Sequence, residues 1–338
     1  MPSTDPPEKQ SRAANLVQDQ VAASEADSQD DRPSLVVLLG PTAVGKTGIA
    51  IQVAERLEGE IISADSRLFY RGMDIGTAKP SPAERSRVLH HLIDVAEPDE
   101  IWSLGVFQRA ASQAIAQVHA RGHLPLLVGG TGQYIQAVIE DWRIPAAEPN
   151  MDLRAVLEQW AAEIGAQGLH QRLSVLDPQA AGQIDFRNLR RTVRALEVIL
   201  RTGKLFSLQR QRGHSPYRTL LLGLTRPRAE LYARIDARIE AMFAAGFSDE
   251  VRALLEKGYS SQLPTLSAIG YREMVACLRG ELTLEEAVSQ MKRITRKFVR
   301  HQANWFKSTD SRITWLEVGP NTVEEIEGFI RDFLTRTA

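Results

Sequence analysis

Eight consecutive residues, Gly40-Pro41-Thr42-Ala43-Val44-Gly45-Lys46-Thr47, match the pattern G-x-x-x-x-G-K-[ST]. Residue types in this order suit the binding of phosphate. The glycines let the backbone turn its N–H groups inward as an anion nest at a helix N-terminus. Lys46 brings a point charge to the phosphates, and the Thr47 hydroxyl can hold magnesium. An apolar, β-branched run at 34–39 precedes the motif. A helical stretch at 46–57, with Ile49, Ala50, Val53 and Leu57 on one face, follows it. This is the strand–turn–helix setting the motif needs. The motif alone leaves the reaction open. Hydrolysis of a nucleoside triphosphate calls for an apolar strand ending in an acid, whereas the run at 124–128 leads into Gly129-Gly130-Thr131-Gly132-Gln133-Tyr134. The nearest acid is Asp65, closing Ile61-Ile62-Ser63-Ala64-Asp65. The C-terminal edge of a parallel sheet would set it beside the phosphate loop. There it could serve as a magnesium ligand, a general base or the cap of a following helix.

These residues need a scaffold, and the remaining pattern describes one. Strands are expected at 34–39, 60–65, 92–95, 124–129, 219–225 and 313–318, with helical segments between them. The clearest helix, 103–121, has Ser103 to cap its start and Gly122 to end it. Alternating strands and helices imply an α/β fold, a parallel sheet covered by helices. Residues 142–186 interrupt it. They are rich in Ala, Glu and Gln and are entered through Ile144-Pro145 and Glu148-Pro149, which predicts a small all-helical insertion domain. The body is then 34–141 together with 187–338, whose C-terminal part is mainly helical. Residues 1–33 lack aromatic residues and any hydrophobic period, so they are expected to be a disordered acidic tail.

The chain has 338 residues, 43% hydrophobic and 25% charged, ordinary values for a soluble globular protein with a sizeable core. Cys277 is the sole cysteine, which rules out a disulfide framework and fits a reducing cytoplasm. No apolar run reaches the roughly 20 residues that span a bilayer, so no membrane partner is expected. The formal net charge of −1 argues at first against nucleic acid. The tail, however, holds seven acids and three bases, which leaves about +3 on the body. Residues 187–218 carry nine bases and one acid, Glu197, and 291–307 carry six bases and no acid. Clustered Lys and Arg of this kind are the footprint of a phosphate backbone. Interleaved Phe298, Trp305 and Phe306 could pack inward or stack on bases.

A longer motif narrows the function. Asp65-Ser66-Arg67-Leu68-Phe69-Tyr70-Arg71-Gly72-Met73-Asp74-Ile75-Gly76-Thr77-Ala78-Lys79-Pro80 resembles the signature of the tRNA dimethylallyltransferase (tRNA isopentenyltransferase) family, bacterial type. His90-His91-Leu92-Ile93-Asp94, the segment from Gly129 to Tyr134, Arg194-Ala195-Leu196-Glu197-Val198 and Ile269-Gly270-Tyr271-Arg272 follow in the family's order. The resemblance covers roughly 34–307 and departs modestly at Leu68-Phe69. It implies a P-loop NTPase-like sheet and transfer of a dimethylallyl group from dimethylallyl diphosphate to N6 of adenine 37, in tRNAs that read U-initial codons.

By that resemblance Asp65 accepts the N6 proton, Thr131 contacts the bridging oxygen of the diphosphate, and Lys46 and Arg234 hold the phosphates, with magnesium on Thr47. The loop from Gly40 to Thr47 would take the diphosphate. Asp65, Ser66, Arg67, Leu68, Thr131, Arg154, Arg190, Arg194, Ser267, Gly270, Tyr271 and Arg272 would approach the anticodon stem-loop. On spacing alone, Arg234 and Arg238 lie one helical turn apart and read as a solvated face, while His90, His91 and Cys277 read as structural. A monomeric cytoplasmic enzyme is expected. Two other readings are an adenylate isopentenyltransferase acting on free AMP, ADP or ATP, and a P-loop small-molecule kinase. A third is a non-catalytic RNA-binding module.

Overall fold

A computed structural model describes residues 31–144, 149–209 and 213–335. The expected disorder of the tail up to residue 30, and the entry through Pro145 and Glu148, lie outside the described residues. In chain order the elements are β1 (Ser34–Leu39), α1 (Lys46–Arg56), β2 (Gly59–Ser63), α2 (Pro82–Arg87), β3 (His90–His91), α3 (Leu104–Ala120), β4 (Leu124–Gly129) and α4 (Gly132–Ile139). Then come α5 (Met151–Leu176), α6 (Pro178–Gln183), α7 (Leu189–Thr202) and α8 (Phe206–Gln209). The chain continues through β5 (Arg218–Thr225), α9 (Arg228–Ala244), α10 (Phe247–Glu256), α11 (Tyr271–Leu278), α12 (Leu284–Gln302), β6 (Ile313–Glu317) and α13 (Thr322–Thr335).

The six strands form one sheet in the order β3-β2-β4-β1-β5-β6, and every pairing is parallel. β2 and β4 are buried along their whole length, and β1 from Leu35 to Leu39. That is why they read as continuous apolar runs rather than alternating ones: both faces of a parallel sheet are covered by helices. β1 lies between β4 and β5, with Leu39 opposite Gly129 on one side and Gly223 on the other. The phosphate motif and the Gly129–Thr131 turn therefore leave the same edge of the sheet side by side. Ser103 caps α3 through its Oγ, which accepts from the Val106 amide at 3.3 Å, and Gly122 turns the chain at φ 76°.

Two expectations are corrected. The third strand is His90–His91, not 92–95. Leu92 and Asp94 turn into positive φ (61° and 55°), which brings the Asp94 carboxylate to Lys79 and Arg85 at 2.6 Å each. The helical unit also reaches past residue 186. Its separate hydrophobic cluster joins Leu157, Leu169, Leu173 and Ile184 to Val193 and Leu196 of α7, the last two placed in the body by sequence. α5 bends at Gly165, which leaves helical geometry at φ 79° and ψ 157°.

Candidate active site

The site is built on the sheet edge where β1 ends. Gly45 enters α1 in the left-handed conformation, φ 110°, so that the following amides open onto the loop. The loop's carbonyls are tied back by cations. Lys46 Nζ donates to Gly40 O at 3.0 Å and Pro41 O at 2.8 Å, Arg234 Nε donates to Ala43 O at 2.8 Å, and Arg226 Nε donates to Val44 O at 2.9 Å. Fixing the oxygens outward leaves the nest geometry preset for an anion. Arg226 carried no signal in the sequence, because nothing near it in the chain marks a partner 182 residues away.

A cavity of about 720 Å³ opens over this loop. Ala43, Gly45, Lys46 and Thr47 line one wall. Asp65, Ser66, Arg67 and Leu68 form a second, and Thr131 a third. Arg234 and Arg238 enter from α9, so the pair read as a solvated face belongs to the site. Burial draws the Lys46 ammonium down to about 8, while Asp65 opposes that and Arg238 adds to it. Burial likewise lowers Arg238, against Asp65 and with Arg234. Asp65 is thus the acid that the half-buried Lys46 and Arg238 face.

Asp65 lies just beyond β2. One carboxylate oxygen accepts from the Arg67 amide at 3.1 Å, closing a turn. No helix begins until Pro82, so Asp65 caps a turn rather than the helix the sequence allowed. Thr131 is the residue before α4, yet its side chain caps no helix amide. Behind it, Tyr134 stacks on Phe107 with ring centroids 4.4 Å apart and on Phe69 at 6.0 Å. That buried wall pushes the Tyr134 phenol up to about 12, leaving it a neutral group at physiological pH.

Other residues expected at the site are placed differently. Val44 is fully buried under the loop, and Gly40 and Pro41 serve through their carbonyls. Tyr271 has no exposed surface. Its ring meets Phe247 edge-on at 5.1 Å and its hydroxyl donates to Glu250 at 2.6 Å, so it backs the cavity wall. Gly270 is buried where α11 starts, at φ 96°, while Ser267 is exposed and Arg272 is held by Glu273 at 2.7 Å. Arg154 and Arg194 converge on the fully buried Glu197, at 3.0 and 2.7 Å, beneath the basic face of α7, and Arg190 is exposed on that helix. Neither Arg154, Arg190 nor Arg194 lines the cavity.

The mouth of the cavity belongs to α12. Phe298, His301 and Gln302 line it together with Trp305 just beyond the helix. Phe298 and Trp305 are about 40% exposed, 41% and 39%, while Phe306 packs against the core. Arg293, Lys297 and Arg300 stand exposed on the same helix, whereas Lys292 and Arg296 pair with Glu240 and Asp236. His91 donates to the Glu60 carboxylate, and His90 donates from Nδ1 to the Val88 carbonyl, as structural groups. Among the described residues no helix is long and apolar enough to cross a membrane.

Comparison with known proteins gives a consistent relationship. The family model described as IPP transferase matches residues 68–309. A protein named tRNA dimethylallyltransferase from Roseiflexus sp. (strain RS-1) is 53% identical over 280 residues, 83% of this chain and 92% of that one. One of the same name from Moorella thermoacetica is 47% identical over 311 residues, 90% of this chain and 95% of its own. The full-length tRNA isopentenylpyrophosphate transferase of Bacillus halodurans superposes with a TM-score of 0.68 at 41% identity, covering 90% of this chain and 98% of that one. A eukaryotic dimethylallyltransferase acting on tRNA gives a TM-score of 0.76 at 25% identity, over 90% of this chain and 80% of the other.

Proposed function

This chain belongs to the IPP transferase family and transfers a dimethylallyl group to tRNA; from that premise we propose that the donor is dimethylallyl diphosphate and the acceptor N6 of adenine 37. The observation that carries this reading is the single cavity shared by the phosphate loop, Asp65 and Thr131. The N6 nitrogen attacks the allylic C1 carbon, the new N–C bond forms as the C–O bond breaks, and diphosphate leaves. Asp65 takes the N6 proton. Lys46, Arg234 and Arg238 balance the charge that grows on the leaving group, and Thr131 contacts its bridging oxygen. The nucleophile is a base on the RNA, so no water needs activation, in keeping with a fourth strand that ends in glycines rather than an acid.

Magnesium fits the donors at hand. Thr47 supplies one hard oxygen beside Lys46, and among the described residues no group of three His, Cys, Asp or Glu side chains could hold a metal on its own. An ion that keeps most of its ligands from diphosphate and water suits that sparse set. When bound it would neutralise part of the diphosphate charge.

The exposed bases of α7 and α12 favour the anticodon stem-loop of tRNAs that read U-initial codons over a free adenylate, which would have no use for them. The glycine end of β4 speaks against a small-molecule kinase. We place the enzyme in the cytoplasm as a monomer. Incubation with labelled dimethylallyl diphosphate and either tRNA or AMP tests the reading. Label in adenine 37 of tRNA is expected, and label in AMP alone would overturn it.

A further inference from the structure

Gln302, in the last turn of α12, makes two hydrogen bonds that no family motif quoted above includes. Its Oε1 accepts from the Thr42 amide, in the phosphate loop, at 2.9 Å. Its Nε2 donates to the Gly130 carbonyl, in the turn after β4, at 3.1 Å. The approach is close enough that a Cβ on Gly130 would come within 2.6 Å of Nε2. The two loops start from neighbouring strands, where Leu39 pairs with Gly129. The sheet sets their spacing at the root, and one side chain joins them above it. One of these loops carries Lys46 and Thr47, and the other carries Thr131.

From this geometry we infer that Gln302 is a positioning residue, which holds the phosphate loop and the Thr131 loop in register and fastens both to the helix that presents Arg293, Lys297 and Arg300. An amide is the chemical group the place requires. It offers one acceptor and one donor on a planar end, and it adds no negative charge beside a diphosphate. A carboxylate would set an oxygen against the Gly130 carbonyl. The consequence is that the helix expected to meet RNA and the loop expected to hold diphosphate share one mechanical link. This inference rests on the function proposed above for the cavity, and its test is chosen to separate the two.

The test uses the full-length protein and Gln302→Leu, which removes both hydrogen bonds, with Gly130→Ala as a second variant whose Cβ would meet Nε2 at 2.6 Å and, less severely, the Gly40 carbonyl at 3.1 Å. Inorganic diphosphate binding, measured by calorimetry, is expected to weaken roughly five- to twentyfold in each variant, the scale of one or two lost hydrogen bonds. The double variant should lose little more than either single one, because both remove the same link. In the transfer assay kcat should fall by about tenfold or more, while affinity for tRNA and the melting temperature stay near wild type. Wild-type diphosphate affinity in Gln302→Leu overturns the inference, as does a parallel loss of tRNA affinity and melting temperature. The calorimetric result decides the role of Gln302 whether or not tRNA takes the label, whereas absence of label with the wild-type protein would count against the proposed reaction alone.

Discussion

Gly76 lies against Tyr271 so closely that a Cβ built on the glycine would come within 2.7 Å of the ring. The contact is held from outside by Glu250, whose carboxylate accepts from the amides of Asp74, Ile75 and Gly76 at 2.6–3.1 Å and from the Tyr271 hydroxyl at 2.6 Å. The segment that begins at the catalytic candidate Asp65 is thereby bolted to α10 and α11. A methyl group at Gly76 must displace both Phe247 and Tyr271, so Gly76→Ala is expected to destabilise the protein by about 1–3 kcal/mol. Denaturant titration measures this; an unchanged midpoint would refute it.

Asp65→Ala should lower kcat by about 10²–10⁴, the usual range for a lost general base. Affinity for tRNA should stay within a few-fold, because the exposed arginines and lysines are untouched. Single-turnover transfer and a filter-binding titration separate the two effects. Equal losses in both would remove the assignment of Asp65 as the base.

Lys46 gives the cavity a pH dependence. With its ammonium drawn down to about 8, the free enzyme loses this proton as pH rises through 8. Above that point a bound diphosphate must first recover the proton, at a cost that grows tenfold for each pH unit. The logarithm of kcat/KM for the diphosphate substrate is therefore expected to fall with a slope approaching −1 above pH 8. Lys46→Arg, which does not titrate in this range, should show no such break in diphosphate binding.

Glu60 predicts an acid-sensitive fold at the sheet edge away from the cavity. It is buried, and the Arg121 hydrogen bonds, helped by His91 and His123, hold its carboxyl at about 2 against burial. A carboxyl held below its unfolded value contributes stability that is present above about pH 4.5 and disappears as pH falls toward 2. The contribution is at most about 3 kcal/mol. Glu60→Gln should lower the melting temperature at pH 7 and flatten its dependence on pH between 4.5 and 2.

Arg190 is exposed on α7 and should act through phosphate charge. Arg190→Ala is expected to weaken tRNA binding and reduce the slope of log K against log salt by up to about 1. A slope unchanged from wild type would remove Arg190 from the RNA face.

The chemistry at the sheet edge was legible because its residues are close together in the chain. Buried parallel strands betray themselves as apolar runs, and the phosphate loop needs only eight adjacent positions. The longer motif was legible as a resemblance, but its reasons were not. Lys79 is almost fully buried, bonded to the Tyr70 carbonyl and to Asp74 and Asp94, and Gly76 answers to a ring 195 positions later. The pattern at 92–95 misled because its apolar residues fit a strand equally well, while the Lys79 and Arg85 charges that turn Asp94 inward are a tertiary matter. Arg238, Arg226 and Gln302 escaped for the same reason. Each contacts a site built by residues far away in sequence, and an arginine or glutamine side chain carries no local mark of such a partner, whether it stands on a helix, as Arg238 and Gln302 do, or just after β5, as Arg226 does.

The central place of β1 has a consequence for how the molecule opens. Amides of a strand paired on both sides and covered on both faces exchange with solvent only when the whole sheet comes apart. The phosphate loop is thus rooted in what should be the slowest-exchanging backbone of the chain. Across the cavity, Gln302 joins it to a helix whose end near residue 302 can fray at far smaller free energy. Hydrogen exchange should therefore find a steep gradient of protection across a few ångströms, from the root of the loop to the tip of the helix that carries Arg293, Lys297 and Arg300.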